Sequence, residues 1–128
     1  MSAIPPASHV LVADDEPGVL RFVSHALTRA GFRVTTAEDG TTAGAMLADP
    51  NERFVAAVLD CSMPGATGPE VVSEMRRGGN PLPVVLLSGD EEYGRSAAGD
   101  AAVRLLAKPC SVAELVGAVR DLLAGAAV

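Results

Sequence analysis

Four apolar runs in this chain each end on a polar residue able to do chemistry. Val10 to Ala13 leads into Asp14 and Asp15, Ala56 to Leu59 into Asp60, Val84 to Leu87 into Ser88, and Arg104 to Ala107 into Lys108. Three carboxylates brought together repel one another, and without a counter-charge at least one is driven toward protonation. A divalent cation resolves this, and hard oxygen ligands select Mg2+, which takes one or two protein carboxylates together with phosphate oxygens. Lys108 is the sole lysine, every other cationic side chain of that kind being Arg. Its ammonium is a compact point charge on a flexible stem. With metal on one side, Lys108 and the Ser88 hydroxyl could hold the remaining phosphoryl oxygens. That would leave Asp60 to attack phosphorus in line and form an aspartyl phosphate.

Each of these residues has a plainer reading by itself. Asp14 to Pro17 is a good helix cap or turn, Asp60 could cap a loop, Ser88 could satisfy a backbone group, and Lys108 with Pro109 could be a turn with a solvated amine. The coincidence argues otherwise: four separate accidents would have to fall on the ends of four different strands.

The elements that must position them follow from hydrophobic period. His9 to Ala13 is a short, nearly continuous apolar run, as in a strand covered on both faces. Pro17 opens a helix on which Leu20, Val23, Leu27 and Ala30 recur at helical spacing, stopped by Gly31. Arg33 to Ala37 is a β-branched strand, Thr41 to Asp49 a small-residue helix stopped by Pro50, and Phe54 to Asp60 a third strand. The loop Cys61 to Thr67 is rich in turn formers, and Val71, Val72 and Met75 mark a helix from Gly68 and Pro69 to Gly78 and Gly79. Pro83 to Ser88 is a fourth strand. Asp90 to Asp100 is expected to form a short, weak helix, since its glycines cost about 1 kcal/mol each. Val103 to Ala107 is a fifth strand, and Ser111 with Glu114 forms a capping box before an apolar stripe through Leu122 and Leu123. Five strands alternating with five helices define an α/β, flavodoxin-like, doubly wound parallel sheet of order 2-1-3-4-5. In such sheets ligands bind just outside the carboxyl ends of the strands, where Asp14, Asp15, Asp60, Ser88 and Lys108 would meet.

Composition bounds the rest. A chain of 128 residues, 48% hydrophobic and 20% charged, reads as one globular domain over residues 9–124, with a flexible tail at 1–8 and a short one at 125–128. No apolar stretch approaches the ~20 residues of a membrane span, so no membrane insertion is expected. The first residues lack the basic start and apolar core of a signal peptide, making a cytoplasmic setting the default expectation. A net charge of −6 with scattered arginines argues against direct nucleic-acid binding. Two cysteines, Cys61 and Cys110, are too few for a disulfide framework and read as reduced thiols. His25 lies off the first helix's apolar stripe and reads as a surface residue, and His9 carries no partner signal. No feature specifies an oligomeric state.

The motifs together resemble the receiver domain of two-component response regulators over nearly the whole chain, from about His9 to Leu123. The resemblance rests on the acidic pair in VLVADDEP, on VLDCSMPGATG with Met63, Pro64 and Gly68, on VVLLSG and on LLAKP. It implies that Asp60 accepts a phosphoryl group from the phosphohistidine of a histidine kinase or histidine phosphotransfer protein. Asp15 and Asp60 would ligate Mg2+ with the Ser62 carbonyl, and Asp14 would act through bound water. Ser88 would be the switch hydroxyl, Gly89 the small residue leaving room for the phosphate, and Lys108 the phosphate clamp before a cis Pro109. Such a domain is a signalling module with slow self-dephosphorylation, not a turnover enzyme. The chain departs from the family at Leu105, three residues before the lysine, where members commonly carry Tyr or Phe as a reporter of phosphorylation. LLSG followed by LLAKP looks more like receivers fused to hybrid sensor kinases than like those driving DNA-binding domains. Three alternatives stand beside this reading. A small Mg2+-dependent phosphatase of the haloacid dehalogenase type would need an Asp-x-Asp spacing that Asp14 and Asp15 lack. A flavodoxin would need a phosphate-cradling loop where this chain is acidic. A degenerate receiver would bind partners without being phosphorylated.

Overall fold

A computed structural model describes residues 8–89 and 100–126. Its strands are β1 (His9–Ala13), β2 (Arg33–Ala37), β3 (Phe54–Asp60), β4 (Val84–Ser88) and β5 (Val103–Ala107), all parallel in the order β2-β1-β3-β4-β5. The described helices are α1 (Pro17–Arg29), α2 (Gly40–Ala48), α3 (Gly68–Arg77) and α4 (Val112–Ala126). The expected helix at Asp90 to Asp100 falls almost wholly on residues outside the described ones, as does most of the N-terminal tail. α4 continues through Ala126, past the expected domain end at residue 124.

Alternation along the central strands builds two cores, because successive side chains of a strand point to opposite faces. Leu11, Ala57, Leu59, Val84 and Leu86 pack with α2 and α3 residues such as Leu47, Val71 and Met75. Val10, Val12, Ala56, Val58, Val85 and Leu87 pack with Val23 and Leu27 of α1 and Leu115 and Val119 of α4. The continuous apolar runs are thus explained: both faces of β1, β3 and β4 are covered.

Local signals set the helix starts. Asp39 caps α2 by accepting from the Thr42 N–H at 2.6 Å, which begins that helix one residue before the expected Thr41. Thr67 and Glu70 form a reciprocal capping box on α3, with bonds of 2.9 and 3.2 Å. The expected box at α4 is present, Ser111 and Glu114 exchanging bonds of 2.9 and 3.0 Å. α1 differs: Glu16 makes no side-chain cap, and Asp14 Oδ1 instead accepts from the Glu16 N–H at 2.9 Å. His9, which carries no partner signal in the sequence, lies 2.6 Å from the Thr35 hydroxyl on β2, and its ring packs tilted by 40° against that of Phe54 on β3 with centroids 4.5 Å apart. Among the described residues no helix is long and apolar enough to cross a membrane.

Candidate functional site

The parallel register carries β1, β3 and β4 to one edge of the sheet, and their polar ends meet there. Asp14 and Asp60 are buried while Asp15 is exposed, yet carboxylate oxygens of all three lie within 4.8 Å of one another. Lys108 reaches them from the end of β5, its Nζ 2.7 Å from Asp60 Oδ1 and 3.2 Å from Asp14 Oδ2. The Lys108 N–H donates to the Ser88 carbonyl at 2.9 Å, which holds the ends of β4 and β5 together, and the Lys108–Pro109 peptide is cis. Ser88 is buried at the same edge. Gly89 follows it, and among the described residues a Cβ there would meet nothing within 4 Å.

Charge is unbalanced in this arrangement. One ammonium faces three carboxylates, leaving two negative charges uncompensated when all are ionised. Burial is the main force lifting the Asp60 carboxyl above its usual range, and Asp14 and Asp15 add to it while Lys108 opposes. For Lys108, burial disfavours the ammonium, but its bond to Asp60 and the charges of Asp60 and Asp14 outweigh this and raise its pKa. Asp14 divides its work. Oδ1 holds the β1-α1 turn, whereas Oδ2 is buried and faces the Lys108 ammonium at 3.2 Å. Of the plain alternatives, helix cap or turn, the turn is therefore real and occupies half of the carboxylate. The carboxylate oxygens of Asp14, Asp15 and Asp60, with one ammonium between three negative groups, are a hard-oxygen donor set, and it fits Mg2+.

The loop after Asp60 is tied at both ends and at its middle. The Cys61 N–H donates to the Leu87 carbonyl at 2.9 Å, the Gly68 N–H to the Cys61 carbonyl at 3.1 Å, and the Gly40 N–H to the Pro64 carbonyl at 3.0 Å. A Cβ at Gly68 would sit 2.6 Å from the Asp60 carbonyl oxygen, so α3 starts against the acceptor strand only because residue 68 has no side chain. The Gly40 contact comes from α2, an element that the motif reading left out; its cap Asp39 and the adjacent glycine were the available signal. Cys61 lies buried behind the site in contact with Ser88, and burial pushes its thiol up to about 11. Burial also raises Cys110. Both are poor thiolates, as expected of structural cysteines. His25 is exposed on α1.

A family model, the response regulator receiver domain, matches residues 10–120, and the chain belongs to that family. It is 39% identical over 119 residues to "Probable transcriptional regulatory protein TcrX" of Mycobacterium tuberculosis, covering 89% of this chain and 49% of that protein. The chain thus spans about half the length of this curated relative. Among solved structures, a response regulator receiver protein of Sinorhizobium medicae superposes with a TM-score of 0.82 at 30% identity, covering 92% of this chain and 95% of the other. The response regulator TrrA of Thermotoga maritima, in complex with Mg2+-BeF, gives 0.76 at 29% identity, covering 90% and 98%. Receiver domains are signalling domains that accept a phosphoryl group on an aspartate and bind Mg2+ at an acidic pocket, and response regulators are phosphorylated by histidine kinases. Several of the curated relatives are named as transcriptional regulatory proteins and others only as response regulators, and these names lend no support to the hybrid-kinase resemblance.

Proposed function

We propose that this domain is a phosphorelay acceptor in which Asp60 takes the phosphoryl group from the phosphohistidine of a histidine kinase or phosphotransfer protein in the cytoplasm. The observation that carries it is the 2.7 Å contact between the lone lysine and Asp60, inside a cluster whose two further carboxylates are Asp14 and Asp15. Asp14, Asp15, Asp60 and the Ser62 carbonyl would hold Mg2+, which when bound neutralises the carboxylates and draws phosphoryl oxygens toward them. Asp60 is buried, and Lys108 at its Oδ1 would move to meet the incoming phosphoryl oxygens. The Asp60 carboxylate attacks phosphorus, the P–N bond of phosphohistidine breaks, and the imidazole leaves with the bond electrons and takes up a proton. Lys108 and the Ser88 hydroxyl then hold the transferred group, and Gly89 leaves it room. Slow attack by water on the aspartyl phosphate returns the domain to its starting state.

Phosphorylation would bias a pre-existing two-state equilibrium through the contacts to Ser88 and Lys108. Leu105 is 39% exposed on the outer strand, and with no aromatic ring there the change propagated through β5 is small. Incubation with acetyl phosphate and Mg2+ should add one phosphoryl group by intact mass, and Asp60→Asn should abolish it. Undiminished labelling of a folded Asp60→Asn protein would overturn the assignment.

A further inference from the structure

The acceptor loop between Asp60 and α3 meets α2 at two glycines, Gly65 lying against the Thr41 side chain and Gly40 against the loop backbone. The Gly40 N–H donates to the Pro64 carbonyl at 3.0 Å, and the Ala66 N–H shares that same carbonyl at 3.0 Å. Residue 40 tolerates no side chain in this position. A Cβ built there would overlap the Ala66 carbonyl oxygen, lie 2.6 Å from its carbonyl carbon and 3.0 Å from its Cα. All three are backbone atoms, so no rotamer change relieves the clash, and either the loop or α2 must move. α2 is itself held, since Asp39 caps it and Ala43 and Leu47 are buried in the core. The loop is pinned at Cys61 and Gly68, and between those points Met63 is buried in the core while Ser62 beside it is exposed and the Pro64 carbonyl takes the Gly40 bond.

We propose that Gly40 is a positioning residue for the metal site: by letting α2 seat against Pro64 and Ala66, it sets where the loop presents the Ser62 carbonyl beside Asp60. The inference rests on the acceptor reading above. Side chains that act behind metal ligands typically change affinity by about 10- to 100-fold when altered, because they fix ligand orientation without touching the ion. Gly40 would do the same with a backbone N–H.

The test uses the 15N-labelled 128-residue chain titrated with Mg2+, and the Mg2+ dependence of phosphorylation by acetyl phosphate. Gly40→Ala should raise the Mg2+ dissociation constant by about 10- to 100-fold. The Mg2+ concentration for half-maximal phosphorylation should rise in step, while the rate at saturating Mg2+ stays close to that of the parent. Gly44→Ala, one turn along the same helix with nothing within 4 Å of the added Cβ, should leave both quantities unchanged. A folded Gly40→Ala protein with parental Mg2+ affinity would overturn the proposal, and so would an equal loss in Gly44→Ala. The parent protein supplies a measurement independent of variant folding: the Gly40 amide resonance should shift with the same midpoint as those of Asp60 and Ser62. A Gly40 amide indifferent to Mg2+ would contradict the proposal, whereas a parent that binds no Mg2+ at all would instead remove the acceptor reading beneath it.

Discussion

Strands β4 and β5 are neighbours in one sheet, each of five residues and each followed or ended by a site residue, and they differ in nearly everything else. Every residue of β4 is buried, whereas β5 lies at the sheet edge with Arg104, Leu105 and Ala107 exposed. Ser88 is therefore fixed by packing on both sides. Lys108 is fixed by charge, through Asp60 and Asp14, and by one backbone bond to Ser88. The contrast teaches that the reactive residues of this edge are held by unlike forces, so that packing changes and charge changes should separate stability from chemistry.

The largest effect should come from breaking the charged side. Lys108→Ala removes a preorganised cation from the transferring group, and loss of such a contact costs roughly 10²–10³-fold in rate. Phosphorylation by acetyl phosphate, followed by mass at saturating Mg2+, should slow by about that factor. A rate within experimental error of the parent would mean that Lys108 is only a structural counter-ion.

Breaking the packed side should act on stability instead. Leu86→Ala opens a cavity beneath the acceptor and should cost ~2–5 kcal/mol in urea denaturation. Leu105→Ala on the edge strand should stay within about 0.5 kcal/mol, as exposed positions do, and leave the phosphorylation rate unchanged. Similar costs at the two positions would erase the comparison between the strands.

The smallest effect is a pH dependence without metal. The raised pKa of Asp60 means that the folded chain binds its proton more tightly than the unfolded chain does. Asp60 therefore subtracts stability as pH rises through its unfolded and then its folded pKa, and the penalty is complete above both. In Mg2+-free buffer Asp60→Asn should be the more stable protein at about pH 7, with an advantage that shrinks toward about pH 4. Parallel stability curves for the two proteins would contradict this, and Mg2+ should reverse the order at neutral pH.

Much of this was readable along the chain because its causes are local. Continuous apolar runs marked the strands covered on both faces, Ser111 and Glu114 announced the cap of α4, and the polar residues at strand ends lay where the sheet order gathers them. What escaped the sequence depends on contacts between distant elements. The seat of Gly40 on the loop at Pro64 is a relation between two backbones. The burial of the Cys61 thiol against Ser88 and the tilted packing of His9 on Phe54 are likewise set by strand register. Even Asp14 was half legible: its turn-holding oxygen obeys a local rule, while the fate of the other depends on Lys108, far along the chain.

The central claim is that Asp60, among several candidate nucleophiles at one sheet edge, carries the phosphoryl group. It is tested most directly by phosphorylating the protein in Mg2+, reducing the acyl phosphate with borohydride, and locating the resulting homoserine by peptide mass spectrometry. The account predicts homoserine at residue 60 and at no other position. Homoserine at residue 14 or 15, or a label borne by His25 and lost under acid, would contradict it.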